Sequence, residues 1–296
     1  MEKFNEDRID GRTKLIGLIA TPIGHSLSPR MHNMSMKKLG LNYTYMAFEV
    51  GNEQLEDVIK GFRALNLRGW NVSMPNKMKI IPYLDELSPA AKFDGAVNTV
   101  VNENGKLIGH NTDGVGYVRG LKEAGVDITD KKMVLLGAGG AATAIAIQTA
   151  LDGLAEISIF NCEDQFTENA KRNVRVINEE MENINCKAHF YPLEDTEKLK
   201  EEISTCDILT NATGVGMNPL EGKSLITDAS WLRKDLVVSD TIYSPRKTKL
   251  LELAEEAGCK AAINGLNMML FQGAKAFEIW FGKEMPIDLV KQQMGF

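Results

Sequence analysis

Two stretches of this 296-residue chain carry side chains that could transfer a proton. Lys77 ends the segment NVSMPNK (71–77), just past a predicted strand, and Asp113 lies in GHNTDG (109–114). A lysine beside an aspartate can pass a proton to or from a substrate hydroxyl, while the carboxylate orients the amine and stabilises the ammonium form. Both segments lie at the ends of elements, where catalytic groups are usually held. From spacing alone a lysine and an aspartate are more often solvated surface charges, so both interpretations stay open at this point.

A glycine-rich segment predicts a phosphate-binding turn in the second half of the chain. The apolar run 133–136 stops at GAGGAA (137–142), and a helical pattern of small residues follows. This fits the form G-x-G-x-x-G/A of dinucleotide-binding units. Gly137 would make the turn, Gly139 would let the backbone approach a pyrophosphate, and Ala142 would let helix and sheet pack closely. The helix N-terminus could then bind the phosphates, although similar turns occur in proteins without a ligand.

Acidic residues follow the next predicted strand, EISIFN (156–161), at the place where such units contact the adenosine ribose. The residues here are Asn161, Cys162, Glu163 and Asp164. A carboxylate accepts hydrogen bonds from ribose hydroxyls but repels a 2′-phosphate, and the nearest arginine, Arg172, lies on the following helix. The sequence therefore favours NAD over NADP, with Asp164 as the first choice of ribose ligand and Glu163 as the second. An acid that complements a helix dipole is an alternative role, compatible with the first.

The order of apolar segments predicts an α/β protein with two domains. The pattern β-α-β-α-β, with a hairpin at Asn104-Gly105, predicts a small N-terminal α/β domain. From the glycine turn onward, strands alternate with helices, which predicts a doubly wound, Rossmann-type NAD(P)-binding domain. Helices 266–281 and 286–294 are expected to pack back on the first domain. The predicted domains are 1–112, completed by 265–296, and 113–264.

Helix starts are predicted from capping residues. Ser28 before Pro29 predicts an N-cap followed by proline at N1, and Asn52 predicts the N-cap of an amphipathic helix that reaches Leu65. The predicted strands of the first half are 15–19, 42–50, 67–74, 96–101 and 106–109. Those of the second half are 133–136, 156–161, 187–193, 207–213 and 236–243.

Composition and charge exclude several classes of function. The formal net charge is −6 without a long basic block, which argues against nucleic acid as a partner. No apolar run reaches the roughly 18 residues of a membrane span, and the polar N-terminal segment MEKFNEDRIDGRTK is unlike a signal or transit peptide. The scattered cysteines predict reduced thiols in a cytoplasmic protein, and the spacing of the four histidines predicts no metal site. Without a G-x-S-x-G elbow or a Ser-His-Asp arrangement, nucleophilic catalysis is not expected.

Six motifs, in order along nearly the whole chain from Leu15, resemble those of the shikimate dehydrogenase family. They are GHSLSP (24–29), NVSMPNK (71–77), GAVNT (95–99), NTDG (111–114), GAGGA (137–141) and NGL (264–266) with Gln272. Within the family, YTYMAFEV (43–50), VSMPNK (72–77) and VKQQMGF (290–296) are most similar to the quinate/shikimate dehydrogenase branch.

The resemblance implies reversible NAD(P)-dependent hydride transfer in aromatic amino acid (chorismate) biosynthesis or in quinate use. Shikimate and 3-dehydroshikimate would be interconverted and, in this branch, quinate and 3-dehydroquinate. The resemblance also implies that Lys77 and Asp113 are the catalytic pair, with Lys77 as the proton carrier. Ser26 and Ser28 would hold the substrate carboxylate. The other implied substrate-binding residues are Tyr45, Asn71, Ser73, Asn98 and Gln272, and the implied cofactor-binding residues are Gly137, Ala138, Gly139, Gly140, Ala141, Asn161, Glu163, Asp164, Thr241 and Gly265.

One departure from the family pattern concerns the cofactor. NADP-specific members carry Asn-Arg-Thr after the second strand, with a further arginine, and the dual-cofactor branch has basic residues before an acid at the Asp164 position. This chain has Cys162 and Glu163 there, so NAD is the expected cofactor and NADP a weaker one. The nearest alternative is an NADP-dependent shikimate dehydrogenase without quinate activity. Others are a dehydrogenase for a different small acid or an amino analogue, and a nucleotide-responsive binding module. Small molecules are the expected partners, with no nucleic acid or membrane, and a homodimer is compatible with the sequence.

Overall fold

The computed structural model describes residues 9–24 and 26–295, so His25 and Phe296, which belong to the motifs above, lie outside the described residues, as does most of the polar N-terminal segment. The described chain divides into two compact units. The first ends at Thr112 and is completed by the chain from Gly273 onward, and the second runs from Asp113 to Gln272. The second unit thus extends eight residues past the boundary expected at 264.

The first unit is built on a mixed six-stranded sheet of order β2-β1-β3-β5-β6-β4. Strands β1, β2 and β3 are parallel, whereas β5 is antiparallel to both β3 and β6. The parallel arrangement brings the carboxyl ends of β1, β2 and β3 to one edge of the sheet. Its elements are β1 (Lys14–Ala20), α1 (Ser28–Lys38), β2 (Tyr43–Glu49), α2 (Leu55–Ala64), β3 (Gly69–Val72), β4 (Glu86–Leu87), α3 (Pro89–Asp94), β5 (Thr99–Glu103) and β6 (Lys106–His110).

The core of the first unit follows from the amphipathic pattern of α2. Leu55, Ile59 and Phe62 are all buried, and the Phe62 ring meets that of fully buried Trp70 edge-on, with centroids 5.1 Å apart. Each aromatic side chain of this kind buries a large apolar area, which stabilises the sheet. The predicted N-cap Asn52 is wrong, because helix geometry begins later and Gln54 occupies the N-cap position.

The second unit contains a six-stranded sheet of order β12-β11-β10-β7-β8-β9, in which every pair of neighbours is parallel. Numbered within the unit, the strand order is 3-2-1-4-5-6, that of dinucleotide-binding sheets. Strands β8 and β9 are added on one side of β7 and the last three strands on the other, so the strand order reverses between β7 and β10. The predicted α/β fold class is therefore confirmed. The elements are α4 (Asp113–Glu123), β7 (Lys132–Leu136), α5 (Gly140–Leu151), β8 (Glu156–Asn161), α6 (Thr167–Arg175), β9 (Lys187–Pro192), α7 (Thr196–Thr205), β10 (Ile208–Asn211), β11 (Val237–Asp240), α8 (Lys249–Glu256) and β12 (Ala261–Ile263).

The C-terminal segment is helical, as predicted, in α9 (Leu266–Phe281) and α10 (Ile287–Met294). The boundary between the units falls within α9, so only its second half belongs to the first unit. There the Trp280 indole N–H donates to the Val100 carbonyl (2.9 Å), and Arg68 donates to the Trp280 carbonyl (2.7 Å). These bonds attach the end of α9 to the sheet of the first unit.

A buried carboxylate ties β7, β8 and α7 together in the second unit. Glu202, 5% exposed, accepts hydrogen bonds from the amines of Lys132 (2.8 Å) and Lys198 (2.8 Å) and from the Ser158 hydroxyl (2.7 Å). Burial alone would raise the pKa of Glu202, but the hydrogen bonds from Lys132, Lys198 and Ser158 outweigh it and hold the pKa at about 2. A folded-state pKa below the unfolded value means that the ionised carboxylate stabilises the fold.

We expect Glu202→Gln to lower the free energy of unfolding by about 2 kcal/mol at neutral pH, because two lysines lose their buried counter-charge. The stabilisation is present above the ordinary glutamate pKa of 4.5 and is lost as pH falls towards the folded value of about 2. The gap between variant and wild type in urea unfolding should therefore close as pH falls through this window. Glu201→Gln is the matched control, since Glu201 also pairs with Lys198 but is largely exposed. An equal loss in both variants would contradict the buried-charge explanation.

Candidate active site

Lys77 lies in a loop that leaves the carboxyl end of β3 and is tied to the two neighbouring strands. The Ser73 amide donates to the Ile19 carbonyl of β1 (2.9 Å). The side-chain amide of fully buried Asn76 donates to the Val50 carbonyl just past β2 (2.8 Å). These bonds place half-buried Lys77 at the edge where the parallel strands of the first unit end.

Four further side chains join Tyr45 in a continuous network of hydrogen bonds in the first unit. The Tyr45 hydroxyl donates to Asn71 Oδ1 (2.7 Å), and Asn71 Nδ2 donates to the Thr99 hydroxyl (3.0 Å). The Thr99 hydroxyl donates to Asn98 Oδ1 (2.9 Å), and Asn98 Nδ2 donates to the Thr112 hydroxyl (3.0 Å), while Asn98 Oδ1 also accepts the Thr112 amide (2.9 Å). Because the members are buried and hydrogen-bonded to one another, the network holds each polar group in a defined orientation.

The ionisation of Tyr45 determines what the network can offer a ligand. Burial raises the pKa of Tyr45 well above its ordinary value, and a hydrogen bond from Ser28 only partly opposes this. The phenol therefore keeps its proton. Since that proton is donated to Asn71 and Ser28 donates to one lone pair, the other lone pair of the Tyr45 oxygen remains as an oriented acceptor.

The two predicted carboxylate-binding serines lie at the start of α1. The Ser28 amide donates to the Ser26 hydroxyl oxygen (3.3 Å), so the Ser26 side chain lies against the backbone at the start of α1. The prediction that Ser28 is the N-cap is wrong: Leu27 already has helical dihedral angles and takes the N-cap position, without a side-chain cap. Ser28 is the first helical residue, and its hydroxyl is directed to Tyr45 rather than to the backbone of the first turn.

Asp113 is the first residue of α4 and belongs to the second unit, whereas Lys77 belongs to the first. The N-terminal end of a helix has a positive electrostatic potential, so an acidic side chain is favourable at this position. Gln272 lies against the same helix, because a Cβ at Gly116 would come within 2.5 Å of the Gln272 backbone nitrogen. The predicted substrate-binding residue Gln272 therefore packs against the helix that begins with Asp113, within the second unit.

The glycine turn lies at the reversal point of the parallel sheet. Gly137 has φ +105°, in the region that favours glycine, and its amide donates to the Phe160 carbonyl of β8 (2.7 Å). A Cβ at this position would lie 2.8 Å from the Thr213 methyl and 3.0 Å from the Ala212 carbonyl oxygen. Only glycine fits here without a shift of the loop that follows β10.

The next residues form a cradle at the start of α5. Gly139 is the N-cap in an extended conformation, and a Cβ on Gly139 or Gly140 would meet no atom within 4 Å. Ala138 and Ala142 are buried against the sheet, and Ala141 is half-buried. Open space beside these two glycines, together with first-turn amides that lack partners within the helix, fits a diphosphate group.

The acidic loop after β8 is held by its own side chains. Asp164 Oδ1 accepts the Phe166 amide (2.7 Å) and the Asn161 side-chain amide (2.9 Å), and the Cys162 thiol donates to Oδ2 (3.4 Å). These bonds, the Phe166 amide above all, lower the pKa of Asp164 below its usual value. The carboxylate is thus a fixed negative charge at the start of α6, and neighbouring Glu163 is exposed. Its position two residues before the N-cap Phe166 is compatible with the alternative role of complementing the helix dipole, and its remaining lone pairs can still accept a ribose hydroxyl.

Thr241 and Gly265, both expected near the nicotinamide, are direct neighbours in the second unit. The Gly265 amide donates to the Ile242 carbonyl (2.9 Å), and a Cβ at Gly265 would overlap the Thr241 carbonyl. Beside them, the buried carboxylate of Asp240 accepts hydrogen bonds from Thr248 (2.7 Å) and Asn211 (3.1 Å). These bonds join the carboxyl ends of β10 and β11, next to the glycine turn.

Some of these residues were not identified by sequence reasoning. Thr99 and Thr112 complete the Tyr45 network, and Asn33 and His32 of α1 contact Tyr45 directly. The available signal was the position of polar residues within predicted buried elements, which is uncommon without a partner.

Among residues 9–24 and 26–295, no group of three or more His, Cys, Asp or Glu side chains is placed to hold a metal ion. In the same residues, no helix is both long and apolar enough to cross a bilayer.

A parallel sheet of this strand order, with a glycine turn and an open helix N-terminus where the order reverses, defines a dinucleotide-binding protein of the Rossmann type. Comparisons with known proteins give the particular family. A model of the shikimate dehydrogenase substrate binding domain matches residues 18–100, and one of the shikimate 5′-dehydrogenase C-terminal domain matches residues 265–294.

Whole-chain relatives agree with these matches. The chain is 63% identical over 286 residues to a Listeria innocua protein named shikimate dehydrogenase (NADP(+)), covering 97% of each. A crystal structure of Listeria monocytogenes shikimate 5-dehydrogenase in complex with shikimate and NAD is 62% identical, with a TM-score of 0.94 over 97% of this chain and 98% of that one. Quinate dehydrogenase from Corynebacterium glutamicum in complex with NAD is 29% identical, with a TM-score of 0.84 over 95% and 98%. The chain belongs to the shikimate dehydrogenase family.

Proposed function

We propose that this protein interconverts shikimate and 3-dehydroshikimate by hydride transfer to and from a nicotinamide dinucleotide. The observation that carries the proposal is the buried Tyr45–Asn71–Asn98 network at the sheet that also positions Lys77. A ring with several hydroxyls needs oriented donors and acceptors, and this network supplies both. The 62% identity to a protein whose crystal structure contains shikimate and NAD supports the assignment.

The proposed chemistry divides the two hydrogens of a secondary alcohol between two acceptors. The C–H bond of the carbinol carbon breaks as hydride, the hydroxyl proton passes to the Lys77 amine, and a C=O bond forms. The nicotinamide ring, when bound, supplies the acceptor or donor for the hydride. In the reverse direction the Lys77 ammonium returns the proton to the carbonyl oxygen. Asp113, in the first turn of α4, would orient the amine and stabilise its charged form.

The substrate-binding residues are proposed in three groups. Ser26 and Ser28 would donate to the carboxylate of shikimate as neutral groups at the start of α1. Tyr45, Asn71 and Asn98 would bind ring hydroxyls through the oriented network. Ser73, beside the lysine loop, and Gln272, beside the helix of Asp113, would bind the remaining hydroxyls.

The cofactor-binding residues are proposed from the second unit. The segment 137–141 would hold the diphosphate, because a Cβ on Gly139 or Gly140 would meet open space and the first-turn amides of α5 lack partners within the helix. Asn161, Glu163 and Asp164 would line the adenosine ribose, and Thr241 and Gly265 the nicotinamide end.

We propose NAD as the preferred cofactor on electrostatic grounds. Asp164 is held ionised by its hydrogen bonds, and Glu163 adds a second carboxylate, so a 2′-phosphate would meet two negative charges. An arginine at this site would be the expected feature of an NADP enzyme. The alternative, an NADP-dependent shikimate dehydrogenase without quinate activity, is favoured by the name of the Listeria innocua relative.

Steady-state kinetics with shikimate and quinate, each with NAD and NADP, test the proposal. Turnover of shikimate with a higher kcat/KM for NAD is the expected result. Quinate turnover would assign the chain to the quinate/shikimate branch that its motifs resemble. A higher kcat/KM for NADP together with inactivity on quinate would establish the alternative. Failure to oxidise shikimate with either cofactor would overturn the proposed function.

A further inference from the structure

Two consecutive residues of α1 both contact Tyr45, one through its backbone and one through its ring. Asn33 Nδ2 donates to the Tyr45 carbonyl (2.9 Å), and the Tyr45 amide donates to Asn33 Oδ1 (2.9 Å). The Asn33 amide thus forms the pair of bonds that a neighbouring strand would make. Because β2 is the edge strand of its sheet, this clamp fixes the backbone of Tyr45 on its open side.

His32 holds the ring of Tyr45. The two rings are stacked with centroids 4.6 Å apart and planes 17° from parallel. The ring centroids of Phe277 and Trp280, both in α9, lie 6.2 and 5.2 Å from that of the imidazole. His32 therefore lies inside an aromatic cluster. The phenol is therefore confined by stacking while its hydroxyl is directed to Asn71.

The imidazole does not act through hydrogen bonds in this cluster. His32 is 1% exposed, and neither ring nitrogen has a hydrogen-bond partner among the described residues. Burial lowers the pKa of His32 to about 3, so the ring is neutral and cannot act as an acid near neutral pH. An unpartnered buried polar group costs about 1–3 kcal/mol, so His32 is a poor choice for stability alone. What its flat ring does provide is a surface for Tyr45.

We propose that His32 and Asn33 are positioning residues that hold the Tyr45 hydroxyl in the orientation that binds the substrate ring. The inference rests on the proposed function, because it assumes that Tyr45 accepts a hydrogen bond from a hydroxyl of shikimate. Asn33 fixes the position of the Tyr45 backbone, and His32 fixes the plane of the Tyr45 ring. Neither residue touches the substrate; each acts through Tyr45.

A double-mutant cycle tests the inference. We expect His32→Ala to raise KM for shikimate about tenfold while KM for the dinucleotide stays unchanged, because only the Tyr45 contact is affected. In a Tyr45→Phe background, which lacks the hydroxyl, His32→Ala should cost less than about twofold. His32→Phe retains a flat ring and should restore most of the affinity for shikimate. Asn33→Ser, which leaves the stack in place, provides an independent variant should His32→Ala not fold.

A matched control separates positioning from general loss of stability. Met36 is a buried residue of the same helix. Met36→Ala should lower the melting temperature without changing KM for shikimate. A His32→Ala effect that is equally large in wild-type and Tyr45→Phe backgrounds would overturn the inference but leave the proposed function intact. An unchanged KM in Tyr45→Phe itself would remove Tyr45 from the proposed site and the inference with it.

Discussion

Lys77→Ala is expected to lower kcat for shikimate oxidation by about 1,000-fold, whereas KM for shikimate and for the dinucleotide changes little. The reason is that proton transfer to the amine occurs in the transition state, so its loss does not affect ground-state binding. Steady-state kinetics at saturating concentrations of both substrates measures this split. Small primary amines added to the variant should restore part of kcat, because they can carry the same proton.

Lys79→Ala is the matched control for this variant. Lys79 is exposed and lies two residues further along the same loop, so its removal changes the net charge equally. It should leave kcat within about twofold of the wild-type value. A Lys77→Ala variant with normal kcat and a raised KM would instead make Lys77 a substrate-binding residue, and the proton would need another carrier.

Asp164→Arg is expected to shift the ratio of kcat/KM for NAD over NADP by about 100-fold towards NADP. The substitution removes a charge that repels the 2′-phosphate and adds one that attracts it, and each change is assigned about a tenfold effect. The local hydrogen bonds of Asp164 complicate this variant, since the Phe166 and Asn161 amides lose their acceptor. Asp164→Asn keeps an acceptor oxygen without the charge, so it should shift the ratio in the same direction by a smaller factor.

Glu168→Arg provides the control for a general change of charge. Glu168 is an exposed residue of the same helix, α6, and pairs with Lys171. If it shifted the cofactor ratio as much as Asp164→Arg, the effect would be long-range and not a contact at the ribose. An unchanged ratio in both Asp164 variants would remove this residue from the cofactor site.

Local patterns predicted many elements because their causes are local. The Asn104-Gly105 dipeptide predicts a hairpin, and both residues have positive φ in the two-residue turn between β5 and β6. The apolar alternation of 156–161 predicted β8 with its observed bounds. Elements with weak patterns were missed: α7 buries only Leu199, Glu202 and Ile203, and β12 has three residues. Strand β4, with two residues, and the short helix α3 were missed for the same reason.

In the candidate site, too, features with a local cause were predictable from the sequence and features that depend on distant contacts were not. The glycine turn is identifiable in the sequence because backbone conformation at Gly137 restricts the residue type. The network around Tyr45 could not be predicted from local sequence. Asn33, Asn71 and Thr99 come from three separate elements and meet only when α1, β2, β3 and β5 pack. Nothing in the local sequence around Ser28 shows that its hydroxyl turns to Tyr45 instead of capping α1.

The sequence by itself determined the α/β class, the strand–turn–helix at 132–151 and the acidic character of the loop at 161–164. These follow from periodicity, glycine conformation and charge, which act over a few residues. Only the tertiary structure decided the strand order 3-2-1-4-5-6, the buried Lys132–Glu202–Lys198 group and the network around Tyr45. Each of these depends on which distant segments pack together, because a buried polar group is satisfied by whichever partner the fold brings within hydrogen-bond distance.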